Sequence, residues 1–183
     1  MAVPGYNIRK AAHVSAFFAQ KNGGYINVLR LTKLVYLADR EFMRLYDCPI
    51  LFDQLVSMPH GPVNSLTLNY VNGLLQDAEW DKILRGRDGY DIALRAPINI
   101  NDDLDELSDA EIDVLEAIWQ EHHWRNKYQL RDYTHDNCPE WEDPQGSSNP
   151  IPYSRVFKFL GKQNGDMLAD AIAAERELIR IMK

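Results

Sequence analysis

The sequence predicts an α+β fold, mostly α-helical in a single domain over residues 1–183, with a small antiparallel sheet or hairpin. Three observations predict it. Apolar residues recur at helical spacing in several long segments, most clearly Leu31, Leu34, Val35, Ala38, Phe42 and Leu45. Two strand-like runs, 80–84 and 90–94, flank an Asp88-Gly89 pair, a turn signal of hairpins. The chain has 183 residues, 45% hydrophobic and 26% charged, so it can bury a sizeable core without disulfides or metals.

The elements follow in order. Asn7 caps a first helix over 8–21, with Ile8, Ala11, Ala12, Ser15, Phe18 and Ala19 at helical spacing, and Asn22-Gly23-Gly24 ends it. Asn27 caps a second helix that runs to Tyr46. Its apolar stripe is flanked by Arg30, Lys33, Arg40, Glu41 and Arg44, read as a charged outer face. Segment 51–58 is apolar and bounded by prolines, which points to an edge strand. His60-Gly61-Pro62 is a turn, and Asn64 or Ser65 opens a helix to Gln76. After the 80–94 hairpin, Ser108 and Glu111 form a capping box for a helix reaching Trp124. A short helix follows over 127–135, then a loop over 138–152 rich in proline. A helix from Pro152 to Leu160 and a last helix over 166–183 complete the chain. The last one has Leu168, Ala171, Ile172, Ile179 and Met182 on one face.

Composition excludes several classes. No apolar run approaches the ~20 residues of a membrane helix. The first ten residues lack an apolar signal core, and two cysteines, Cys48 and Cys138, are too few for a disulfide framework, so a cytoplasmic location is expected. A net charge of -7 argues against broad contact with nucleic acid, which requires a basic face. No phosphate loop, nucleophile elbow, Cys-x-x-Cys pair or His-Glu-x-x-His helix occurs, so no cofactor or metal is expected. Asp39 adjoins the apolar stripe of the second helix and, if buried, needs a cation or a backbone donor. Gly61 beside Pro62 makes a rigid turn that fixes His60. Trp141 anchors the proline-containing loop or serves as a binding residue.

Four segments in order carry a resemblance. They are Leu31-Thr32-Lys33-Leu34-Val35-Tyr36-Leu37-Ala38-Asp39-Arg40, then Met58-Pro59-His60-Gly61-Pro62-Val63, then Leu107-Ser108-Asp109-Ala110-Glu111, then Thr134-His135 followed by Glu140-Trp141. Together they resemble the Panacea, or SocA-like antitoxin, domain from about Asn7 to Tyr153. The resemblance implies a non-catalytic antitoxin that neutralises a cognate toxin protein by direct binding, with delivery of the toxin to a protease as a further family role. Lys33, Tyr36, Asp39, His60, Gly61, Pro62, Thr134, His135 and Trp141 match the family's motif positions and are candidates for partner binding or for the scaffold behind it. The loop over 136–152 departs from the family pattern and has no role assigned by it.

Two functions are therefore expected from different classes. The first is the antitoxin; the second is a metal-assisted hydrolase using His60 and His135. Asp102, Asp103 and Asp105 lie in a stretch of eight carboxylates, residues 102–116, that has no basic residue. They are candidates for steering a basic toxin towards the protein.

Overall fold

The computed structural model describes residues 3–182. In chain order the elements are α1 (Ile8–Lys21), β1 (Tyr25–Asn27), α2 (Val28–Tyr46), β2 (Leu55–Met58), β3 (Gly61–Asn64), α3 (Ser65–Val71), α4 (Ala78–Ile83), β4 (Asp91–Ala93), α5 (Ile100–Asp103), α6 (Asp109–His122), α7 (Lys127–Asn137), β5 (Asn149–Pro150), α8 (Tyr153–Phe159) and α9 (Gly165–Ile181). The expected α+β, mostly helical class is the observed one.

Two helices form the centre. Every residue from 11 to 19 in α1 and from 31 to 39 in α2 is buried. A helix covered on all sides is a core helix rather than an amphipathic surface one. Alanines at 11, 12, 16 and 19 give α1 the slim profile that lets α2, α4 and α6 approach it. Around α2 stand α1, α6, α7 and β3. That surround corrects the sequence reading of Lys33, which is wholly buried instead of lying on a solvated face. Leu34, Ala38 and Phe42 are buried as expected, whereas Leu45 is 47% exposed and lies beyond the core. The caps are local: the Asn7 side chain accepts from the Lys10 amide, Asn27 from the Leu29 amide, and Ser108 and Glu111 complete the capping box of α6.

The sheets differ from expectation. Segment 80–84 is not a strand, because Asp77 caps α4 by accepting from the Glu79 amide. The helical turn buries Trp80 against Tyr70, with ring centroids 5.5 Å apart. The second run does form a strand, but β4 pairs with β1, placing Ile92 opposite Ile26. Only a single bridge, Leu84 to Leu94, remains of the expected pairing, and the Asp88-Gly89 turn closes on Asp91. The real hairpin is β2–β3, joined through Pro59-His60 with Met58 opposite Gly61. β2 is a central strand and not an edge, since β5 pairs on its other side, Val56 opposite Pro150. The prolines sit on the flanking strands, Pro62 in β3 and Pro150 in β5, where a missing N–H costs least.

Other boundaries move by less. α3 stops at Val71 instead of Gln76, followed by Gly73 in a left-handed conformation (φ 71°). In α9 the inward face is Leu168, Ile172 and Ile179, while Ala171 and Met182 point outward. α9 is held down by Arg176, whose Nη2 donates to the Asp53 carbonyl at 2.8 Å. No helix among the described residues is long and apolar enough to cross a membrane.

Candidate functional site

The residues singled out by sequence meet where α2, the β2–β3 hairpin and α7 join. Asp39 projects from α2 into the interior. Its Oδ1 accepts from the amides of Ile50 and Leu51 at 2.6 and 3.1 Å, and its Oδ2 from Asn64 Nδ2 at 2.9 Å. The carboxylate thus fastens α2 both to the segment entering β2 and to the end of β3. Burial outweighs these donors and pushes Asp39 up to about 6.

Two turns earlier in the same helix, Lys33 Nζ donates to the Pro62 carbonyl at 2.9 Å. Gly61, at φ 100°, lies directly over it: a Cβ there would sit 2.8 Å from Thr134 Oγ1 and 3.1 Å from Lys33 Nζ. Thr134 Oγ1 donates to the Arg131 carbonyl at 2.7 Å, so the buried hydroxyl is itself partnered. Burial pushes Lys33 down to about 7. The neighbouring Cys138 thiol is pushed up to about 12, by burial first and then by the Glu140 carboxylate.

The third contact joins α2 to the loop after α7. Tyr36 OH donates to Glu140 Oε1 at 2.7 Å, and Arg40 Nε to the same oxygen at 2.6 Å. Glu140 is wholly buried. One residue further, the Trp141 indole stacks on His135, with centroids 4.0 Å apart and planes 6° from parallel. Its Nε1 donates to the Met58 carbonyl at 2.9 Å. Trp141 therefore anchors the loop to the hairpin, and the loop then supplies β5. His135 Nε2 is buried without a hydrogen-bond partner. His60 is exposed at the hairpin turn. Among the described residues no three of His, Cys, Asp and Glu gather as a metal site.

Lys33 makes pH a test of this geometry. In the unfolded chain a lysine titrates near 10.5, so between about pH 7 and 10.5 the unfolded state binds the extra proton. Stability is then lowest on this account at pH 7 and below, and rises with pH across that window. Urea unfolding at pH 7 and pH 9 is expected to show wild type gaining about 2–3 kcal/mol relative to Lys33→Met over the two units. An equal change in both proteins would place the ammonium in water.

Beside this junction lies a cavity of about 380 Å³. Val28, Leu29, Val63 and Leu68 supply apolar walls, and Lys33 and His60 also border it. Its border also includes Arg87, Tyr90, Lys127, Tyr128 and Arg131, residues the sequence reading did not select. Lys127 Nζ sits 5.6 Å from the Tyr90 ring centroid and 5.1 Å from that of Tyr128. For Lys127, Tyr128 and Arg131 a signal was present: residues 122–131 interleave cations and aromatics without a single carboxylate, in a chain of net charge -7.

The acidic candidates lie elsewhere. Asp102 and Asp103 are exposed in α5, where Asp103 Oδ2 accepts from the Asn99 amide at 2.7 Å. Asp105 is engaged by Arg9 Nη2, which donates to both its oxygens at 2.7 Å.

Comparison with known proteins found no match among curated proteins or solved structures. It did find a family match, to "Antitoxin SocA-like, Panacea domain", over residues 31–142. That span begins at Leu31 of α2 and closes just after Trp141, so it encloses the Asp39, Lys33 and Glu140 contacts entirely. With the matched region covering most of the chain and the ordered motifs meeting at one junction, the protein belongs to the SocA-like, Panacea-domain antitoxin family.

Proposed function

We propose that the chain is the antitoxin of a toxin–antitoxin pair and neutralises a cognate toxin by binding it directly, without catalysis. The family match over residues 31–142 carries this reading. The division of labour among the motif residues supports it. Asp39, Lys33, Tyr36, Thr134 and Trp141 spend their polar groups on the backbone, on Asn64 and on Glu140, and His135 gives its ring face to Trp141. They hold a scaffold, and partner contact falls to the surface that this scaffold displays. Of the pair in the hydrolase reading, His60 is exposed at the hairpin turn and His135 is half-buried, stacked on Trp141.

The test is the neighbouring reading frame. Its product is expected to arrest growth when expressed alone, to be harmless with this chain, and to co-purify with it. A neighbour that is harmless alone, or neutralised without forming a complex, would refute the reading. Toxin half-life in the same cells separates simple blocking from delivery to a protease: a stable toxin in the complex means blocking.

Charge steering adds an expected result. Replacing Asp102, Asp103 and Asp105 by Asn is expected to slow toxin association about threefold or more at low salt and to leave dissociation nearly unchanged. The difference shrinks as salt brings the Debye length to ~8 Å. Asp102 and Asp103 carry the larger share, because Arg9 already offsets Asp105. An unchanged association rate at low salt would reduce the patch to solvated surface.

A further inference from the structure

The cavity beside the motif junction has a character opposite to that of the chain. Among the described residues no carboxylate borders it, although the protein carries a net charge of -7. Arg131 is offset by Asp132, with Nη2 2.6 Å from Oδ1. Arg87 and Lys127 have no carboxylate partner among the described residues. Tyr90 and Tyr128, 72% and 54% exposed, stand at the rim, and the interior is apolar. Exposed tyrosines and arginines around an apolar pocket are the composition of binding hot spots.

We infer that this cavity receives an acidic segment of the partner protein. An apolar or aromatic side chain fills the floor formed by Leu29, Val63 and Leu68, and an adjacent Asp or Glu is held by Arg87 and Lys127. The inference rests on the antitoxin reading for the partner being a protein. The local backbone favours a carboxylate side chain over a nucleotide phosphate. Phosphates are cradled by free amides at helix N-termini. Here the Leu29 amide at the start of α2 donates to Asn27 Oδ1, and the Tyr128 and Gln129 amides at the start of α7 donate to Asn126 Oδ1. Among the side-chain cations, Arg87 gives Nε to the Gly89 carbonyl and Nη1 to Asn72 Oδ1, which fixes the guanidinium and leaves Nη2, with the Lys127 ammonium, for a carboxylate. The cationic cavity and the acidic α5 region together give a partner two patches of opposite sign, which fixes one docking orientation.

The test uses a random heptapeptide phage library selected in parallel on the purified full chain and on Arg87→Gln/Lys127→Gln. Both replacements retain side-chain bulk at exposed or half-exposed positions, and circular dichroism confirms folding. Selection on wild type is expected to enrich Asp or Glu next to Leu, Phe, Tyr or Trp. The synthetic consensus peptide is expected to bind the variant at least tenfold more weakly and to shift amide resonances of Val63 and Leu68. No enrichment, a consensus without acidic residues, or equal binding to the variant would overturn the inference. So would saturable binding of ATP at the same resonances without any peptide consensus. Growth rescue keeps the two readings apart. A variant that neutralises the toxin as well as wild type overturns the cavity assignment and leaves the antitoxin standing. A harmless neighbouring frame overturns the antitoxin and leaves the peptide result intact.

Discussion

Glu140→Ala is expected to lower the unfolding free energy by about 3–5 kcal/mol, read as a shift of the urea midpoint without a change of slope. The carboxylate is wholly buried and satisfies three donors, Tyr36 OH, Arg40 Nε and Arg40 Nη2. Removing it strands a phenol in the interior and a guanidinium whose side chain is only 18% exposed. The cost is that of a desolvated phenol and guanidinium without an acceptor, not the worth of the pair itself. A second variant separates these. Arg40→Met/Glu140→Leu removes both charges and fills the space with apolar atoms, so it is expected to recover most of the loss. If the double variant is as unstable as Glu140→Ala, packing of the loop rather than unpaired charge sets the cost. The same measurement reports on architecture: Tyr36 and Glu140 are 104 positions apart, and their contact ties the start of the family region to its end.

The second large effect is expected at Gly61. Gly61→Val should destabilise by about 3–5 kcal/mol, the sum of backbone strain at positive φ and of overpacking. The backbone sits at φ 100°, beyond the left-handed well that L-residues tolerate. The added Cβ alone would come within 2.8 Å of Thr134 Oγ1 and 3.3 Å of His135 Cδ2, before the two methyl groups of valine are placed. Gly61→Ala is expected to cost less than Val yet clearly more than an ordinary surface change of about 0.5 kcal/mol. Stability of Gly61→Ala equal to wild type would mean that the hairpin can lift off α7 without penalty.

What the sequence could reveal followed the range of the forces involved. The caps Asn7, Asn27 and Ser108 with Glu111 are local hydrogen bonds, and each was readable where it stands. The Trp80 helix was also local and was nonetheless missed. Trp80, Ile83 and Leu84 lie at i, i+3 and i+4 behind Asp77, a helical pattern with a cap that the Asp88-Gly89 turn overshadowed. Pairing partners are not local: nothing near residue 91 says that β4 joins β1, 64 positions earlier, instead of the adjacent chain. Burial of Lys33 is likewise collective, because α6, α7 and β3 all arrive on α2 from distant sequence. For the site, the motif resemblance picked out the scaffold. The cavity rim escaped notice because Arg87 and Tyr90 come from one loop, and Lys127, Tyr128 and Arg131 from a helix about 40 residues later.

The three-stranded sheet has a consequence for how this protein keeps company with copies of itself. Strands with free amides along an outer margin recruit further strands, and that is the route to edge-to-edge aggregation and amyloid-like stacking. Here β3 carries Pro62 and is overlain by α2 and α7, while β5 is two residues long and ends in Pro150. Neither margin offers a row of donors long enough to template an incoming chain. Crowded copies of the protein are thereby kept from polymerising through the margins of this sheet.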